Sequence, residues 1–221
     1  VRVKTSGANL GVAFDGDADR AMFATGAGKV VNGDFILLIA ARAMRQAGRL
    51  AGDRVVATVM SNLGLELALK AEGIAMARTP VGDRYVLEEM RSCGARLGGE
   101  QSGHVIFLDH STTGDGLLTA VQILQVMRDS GCSLEQLCEG LDVYPQTLVN
   151  VCVKTRRDLE QLTAVGEEIR RVEQEFGDAG RVLVRFSGTE PLARVMVEGP
   201  DQARVEAAAE RIAEAIRREL S

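Results

Sequence analysis

The stretch NLGVAFDGDADRAMF, Asn9 to Phe23, sets three acids two residues apart at the mouth of an apolar run. Leu10 to Phe14 reads as a buried β-strand and Arg20 to Thr25 as a second strand. Asp15, Asp17 and Asp19 lie between them, followed at once by Arg20. In an extended loop, residues i, i+2 and i+4 face one side. The three carboxylates are therefore expected to converge, with Gly16 allowing a tight turn. Convergent carboxylates repel unless a cation sits among them. A small cluster of hard oxygen ligands suits Mg2+, which keeps open positions for water or phosphate. An EF-hand also opens D-x-D-x-D, but its loop needs Gly at position six and Glu at twelve. Those positions are Arg20 and Gly26 here. A haloacid-dehalogenase-type Asp nucleophile is another rival, and its partner motifs are not found. The plain alternative is a solvated acidic turn. Arg20 directly after the triad favours a metal site that also holds a phosphate.

Beyond this loop the chain alternates. NGDFILLIAARAMRQAG reads as a helix, DRVVATVM as a strand, and SNLGLELALKAEG as a helix capped by Ser61 or Asn62. IAMART follows as a strand, and a helix starts near Asp83. ARLGGEQSGHVIFLD gives two short strands around a loop. TGDGLLTAVQILQVMRDSG is an amphipathic helix with Leu117, Val121, Leu124 and Met127 on one face. Ser133 and Gln136 form a capping box for a short last helix. Alternation of this kind indicates an α/β sheet. The pattern changes around GLDVYPQT. Leu148 to Lys154 reads as a strand, Asp158 to Phe176 as a charged helix, and GRVLVRF and ARVMVEG as strands either side of SGTEPL. Asp201 caps a final helix that buries Val205, Ala209, Ile212, Ile216 and Leu220. The expectation is a mixed-sheet α/β domain followed by a smaller α+β domain ordered strand-helix-strand-strand-helix.

Two further loops carry chemistry. GGEQSGH, Gly98 to His104, presents Glu100, Ser102 and His104 within five residues. Glu accepts from hydroxyls, Ser accepts or donates, and His donates or shuttles a proton, so the cluster suits a polyhydroxylated ligand. The alternative is a polar hairpin turn. RFSGTEPLAR, Arg185 to Arg194, offers Ser187, Gly188 and Thr189 between two arginines. A concave array of backbone N–H groups binds anions, and paired guanidiniums recognise phosphate bidentately. The alternative is a hairpin with solvated arginines. Glu190 opposes an anion there unless it bonds a ligand hydroxyl or one of the arginines.

Composition narrows the classes. Of 221 residues, 46% are hydrophobic but only 4% aromatic, so the core is aliphatic. The net charge of -5 argues against a nucleic-acid footprint and a polybasic membrane anchor. No apolar run reaches the ~18 residues of a membrane span. The four cysteines, Cys93, Cys132, Cys138 and Cys152, form no CxxC pair and have only two histidines to join them. A zinc site or disulfide framework is not expected, and scattered thiols fit a reducing cytoplasm. The chain opens without Met and reads as a piece of something longer.

Taken in order, DGDADR, GEQSGH and SGTEPLARVMVEG resemble the α-D-phosphohexomutase family, with support from VGDRYVLEEM, TTGDGLLTA and YPQTLVNV. The resemblance covers essentially the whole chain. It implies the tail of a second domain with the metal loop (1–30), a third α/β domain with the sugar loop (31–143), and a fourth, C-terminal domain with the phosphate loop (144–221). It implies Mg2+ on Asp15, Asp17 and Asp19, with Arg20 and His104 as catalytic residues and His104 close to the reacting hydroxyl. Glu100 and Ser102 would bind the sugar, and Arg185, Ser187, Gly188, Thr189 and Arg194 the phosphate that is not transferred. The GEQSGH form, with Gln101, resembles the branch that interconverts glucosamine 6-phosphate and glucosamine 1-phosphate and feeds UDP-N-acetylglucosamine synthesis. The rivals are the mannose and glucose phosphate branch and a non-catalytic sugar-phosphate-binding module. In the family a phosphoserine in a T-A-S-H-N-P motif carries the phosphoryl group. That motif is not in this sequence, so the chain alone is expected to be inactive. Many relatives carry Lys just before VGDRY, where this chain has Pro80. The expected partner is a hexosamine phosphate, not nucleic acid or membrane, and any homodimer would be built through the family's N-terminal half.

Overall fold

The computed structural model describes residues 2–155, 162–187 and 190–220. They form two compact units, Val1–Asp142 and Val143–Ser221.

The first unit opens with a one-turn helix α1 (Arg2–Ser6) and an antiparallel sheet, β1 (Leu10–Phe14), β2 (Ala21–Thr25) and β3 (Val30–Val31), in that order. Phe14 pairs with Ala21, and Leu10 with Thr25. The expected burial of β1 does not hold: its residues run from half-buried to exposed. It is the edge strand, so only Leu10 and Val12 pack against the core.

A second sheet takes the order β5 (Ala75–Thr79), β4 (Arg54–Thr58), β6 (Leu97–Gly99), β7 (Val105–Phe107). Its first three strands are parallel, and β7 is antiparallel to β6. Parallel strands need cover on both faces, and β4 shows it. Val55 and Ala57 enter one core, while Val56 enters a second with Val86, Met90 and Ile106. The first core is built on α2 (Gly33–Gln46), which buries every residue from Gly33 to Ala41. A helix apolar on all sides belongs in a protein interior. Helix α3 (Leu63–Ala71) links β4 to β5, and α4 (Asp83–Cys93) links β5 to β6. Asn32 and Asn62 cap α2 and α3 by accepting backbone N–H groups of the first turn. Ser133 and Gln136 form the anticipated capping box of α6 (Leu134–Leu137).

Helix α5 (Gly116–Ser130) turns a different face inward from the expected one. Thr119, Ala120 and Ile123 are buried, whereas Leu117, Val121 and Leu124 are 61%, 57% and 46% exposed. Met127 does pack against the core. Apolar residues cover more than half of this helix, so the helical period fits two faces. The small residues select the inner one because α5 lies against α2 and β2.

The second unit is an antiparallel sheet ordered β8 (Gln146–Cys152), β10 (Leu192–Glu198), β9 (Arg181–Phe186), with helices α7 (Thr163–Phe176) and α8 (Gln202–Leu220). Ala193, Val195 and Val197 meet Val205, Ala209, Ile212, Ile216 and Leu220 in its core, the face expected of α8. Asp201 accepts the Arg204 N–H at its start. The helix expected from Asp158 begins at Thr163, with Leu162 as its N-cap; residues 158–161 lie outside those described. Among the described residues no helix is long and apolar enough to cross a membrane.

Candidate functional site

The acidic loop brings Asp15, Asp17 and Asp19 together: one ligand oxygen from each lies within 4.8 Å of the others. The cause is not the pleat of an extended loop. Asp15 O accepts the Ala18 N–H at 3.3 Å, and Ala18 takes a left-handed φ of 59°. A tight turn therefore folds the acids toward one another, and Ala18, not Gly16, adopts the unusual backbone. Non-glycine residues hold this conformation at a cost of order 1–3 kcal/mol, and such strain gathers at functional sites. The Arg20 N–H donates to Asp15 Oδ1 at 3.2 Å. Its half-exposed guanidinium places Nε 3.7 Å from Asp15 Oδ2 and 3.8 Å from Asp19 Oδ1. Asp19 Oδ1 is buried and makes no hydrogen bond. An oxygen-only donor set with one orphaned buried oxygen fits a small divalent cation.

The Glu100–His104 loop is strapped onto this turn. Ala21 N donates to Gly103 O at 3.1 Å, and Arg20 and His104 form a β-bridge. His104 is 3% exposed. Its Nδ1 lies 3.1 Å from Asp19 Oδ2, and its Nε2 accepts the Gly114 N–H at 3.0 Å. His104, expected close to a reacting hydroxyl, is a buried ring whose two nitrogens meet Asp19 and the Gly114 N–H.

Glu100 follows β6, beside the C-terminal ends of the parallel strands, where open α/β sheets bind ligands. Its Oε1 accepts the Gly82 N–H at 3.0 Å, and Oε2 accepts the Ser102 hydroxyl at 3.1 Å. Thr58, Met60, Val81, Glu100 and Ser102 line a cleft of about 400 Å³. Pro80 is exposed beside it. Asp34 is a residue the sequence did not single out. Its Oδ2 accepts from Asn62 N at 2.9 Å and Gln101 Nε2 at 3.2 Å. Burial pushes the Asp34 carboxyl above its ordinary value, against the lowering effect of those hydrogen bonds and of Ser61. In sequence it looks like any first-turn acid; its burial and its contacts with Asn62 and Gln101, 28 and 67 residues away, set it apart.

In the second unit, Arg185 and Arg194 are register partners on β9 and β10. Val195 and Ala193 face the helices, so both arginines lie on the opposite face of the sheet. Like charges placed directly opposite destabilise a sheet unless an anion joins them. Arg194 Nε is buried without a hydrogen bond. Glu190 bonds Arg194 at 3.0 Å, the second of the two roles open to it. Ser187 is buried, and its Oγ accepts the Glu190 N–H at 3.3 Å. Gly188 and Thr189 lie outside the described residues.

Residues 32–144 match the family described as Phosphoglucomutase/phosphomannomutase, alpha/beta/alpha domain III, and residues 148–215 match its C-terminal domain. The chain belongs to the phosphoglucomutase/phosphomannomutase family, as its three motifs implied. Within that family it is 62% identical over 213 residues to a protein from Solibacter usitatus named phosphoglucosamine mutase, covering 96% of this chain and 48% of the relative. A protein of the same name from Koribacter versatilis is 56% identical, covering 94% and 45%. The chain thus spans about half the length of the curated relatives it matches. Its fold is also that of the Aspergillus fumigatus N-acetylphosphoglucosamine mutase solved with GlcNAc-6P and magnesium, at a TM-score of 0.75 and 20% identity, covering 93% of this chain and 51% of that one.

Proposed function

We propose that the chain is the cation- and sugar-phosphate-binding part of a phosphoglucosamine mutase, an isomerase that interconverts glucosamine 6-phosphate and glucosamine 1-phosphate. The observation that carries this reading is the junction in one unit of the three-carboxylate turn with the Glu100–His104 loop. The names of the similar bacterial proteins support it. Residues 1–30, 31–143 and 144–221 are assigned to the family's second, third and fourth domains. Asp15, Asp17 and Asp19 would hold Mg2+, as the magnesium in the Aspergillus enzyme supports. Bound there, the ion would polarise phosphoryl oxygens and offset charge that develops during transfer. Arg20 adds a fixed positive group at the same point. Glu100, pre-oriented by Gly82 N and Ser102, accepts hydrogen bonds from sugar hydroxyls. Arg185 and Arg194 bind a phosphate with charge-assisted, bidentate hydrogen bonds, joined by Ser187, Gly188 and Thr189. The phosphoserine is supplied from outside these 221 residues, so the chain alone does not turn over.

Calorimetric titration of glucosamine 6-phosphate into the chain tests this reading. Saturable binding is expected, and Arg194→Ala should weaken it at least about tenfold, in line with the ~1.5–3 kcal/mol of a hydrogen bond to a charged group. Equal affinity in wild type and variant would remove the phosphate role.

A further inference from the structure

We infer that Asp34 is a positioning residue for the cleft beside the parallel strands: it ties the cleft's two walls together, and the Gln101 amide serves as its clasp and does not read the ligand. This rests on the sugar-binding role proposed for Glu100 and Ser102. One wall is the turn between β4 and α3, with Thr58 and Met60; the other is the loop that supplies Glu100 and Ser102. Asp34 stands in the first turn of α2, 1% exposed, and touches both. Its Oδ2 accepts Asn62 N, at the end of the first wall, at 2.9 Å and Gln101 Nε2, in the second, at 3.2 Å. A single buried oxygen therefore joins segments that are 39 residues apart in the chain, Asn62 and Gln101.

Each wall also has its own support. Arg78 on β5 donates to Thr58 O at 3.2 Å and Ser61 O at 2.8 Å, which shapes the turn after β4. Gly103 N donates to Glu100 O at 3.0 Å, which closes the loop, and Gly33 N donates to Gln101 O at 3.0 Å, which seats it on α2. Asp34 sets the relation between the two. A carboxylate only accepts, so Gln101 presents its nitrogen to it. Gln101 also borders the cleft. Turning its amide to a ligand hydroxyl would strip a donor from a buried acceptor, which costs more than the bond gained. The amide therefore stays on Asp34. Glu100 and Ser102, on either side of it and bonded to each other at 3.1 Å, are left to meet the ligand.

Two measurements on the 221-residue chain decide this. The first is solvent exchange of the Gln101 side-chain amide by NMR, before and after glucosamine 6-phosphate is added. Slow exchange is expected in both; fast exchange in the free chain would overturn the inference. The second is a donor–acceptor swap, read by calorimetric titration with glucosamine 6-phosphate. Gln101→Glu sets two carboxylates against each other and should weaken binding at least about tenfold, the size of one hydrogen bond to a charged group. Adding Asp34→Asn rebuilds the pair with its roles reversed, since the new amide donates to the new carboxylate and its oxygen still accepts Asn62 N. The double variant should recover most of the affinity. A double variant as weak as Gln101→Glu would give Gln101 to the ligand and overturn the inference, with the sugar reading intact. Unchanged affinity in Gln101→Glu would do the same. No binding by the wild type would instead remove the sugar-phosphate reading and the Asp34 role with it. Should a variant fail to fold, the wild-type exchange rate decides alone.

Discussion

Gly33→Ala is expected to destabilise the first unit by about 3 kcal/mol or more, at the upper end of what overpacking costs. The first residue of α2 lies against the Glu100–His104 loop: Gly33 N donates to Gln101 O at 3.0 Å. A Cβ added there would sit far inside 3.0 Å of the Glu100 carbonyl oxygen, with Glu100 C and Gly103 N also at 3.0 Å. All three obstacles are backbone atoms, so no side chain can swing away. Either α2 shifts, disturbing a core that its neighbours fill completely, or the Glu100–Gly103 loop lifts from its seat. Amide hydrogen exchange separates this from a general loss of structure. Amides of α2, β6 and the Glu100–His104 loop should lose protection, while those of β10 and α8 keep theirs. Unchanged protection across the first unit would show that the loop is not seated as described.

Glu198→Gln is expected to cost the second unit about 3–5 kcal/mol, the usual penalty for breaking a buried ion pair from one side. Glu198 is fully buried and is the register partner of Arg181. The guanidinium meets its Oε2 with Nε at 2.6 Å and a terminal nitrogen at 2.5 Å. Removing the carboxylate charge leaves a nearly buried cation between strands. Replacing both partners, as Arg181→Met with Glu198→Leu, should recover most of the loss, because matched apolar substitution of buried pairs is often neutral or stabilising. Urea denaturation of the two variants checks this: a double variant no more stable than Glu198→Gln would mean the cost is not one of unpaired charge.

Much of this was legible in the sequence because local rules act alone. Asn62 caps α3 and Asp201 caps α8 through contacts within three residues, and the inner face of α8 follows from its unbroken period. Where the chain offered two answers, local rules failed. Helix α5 carries apolar residues on overlapping faces, and only its packing against α2 and β2 chooses Ala120 and Ile123 over Leu117 and Val121. The convergence of Asp15, Asp17 and Asp19 was anticipated, but its mechanism was not, since nothing local marks Ala18 for a left-handed backbone. His104 and Asp34 take their meaning from partners 85 and 67 residues away. A polar residue's neighbours in sequence say what it is able to do; its distant partners decide whether it remains available to do it.

The acidic turn and the Glu100–His104 loop are proposed to form one cation site. Amide NMR spectra of the chain, recorded as Mg2+ is added, test it most directly. Saturable shifts are expected at Gly16 to Arg20 and, through the imidazole that joins them, at His104 and Gly114, with the acids Asp129 and Glu135 unaffected at the same concentration. Shifts absent from Gly16 to Arg20, or spread equally over Asp129 and Glu135, would contradict it.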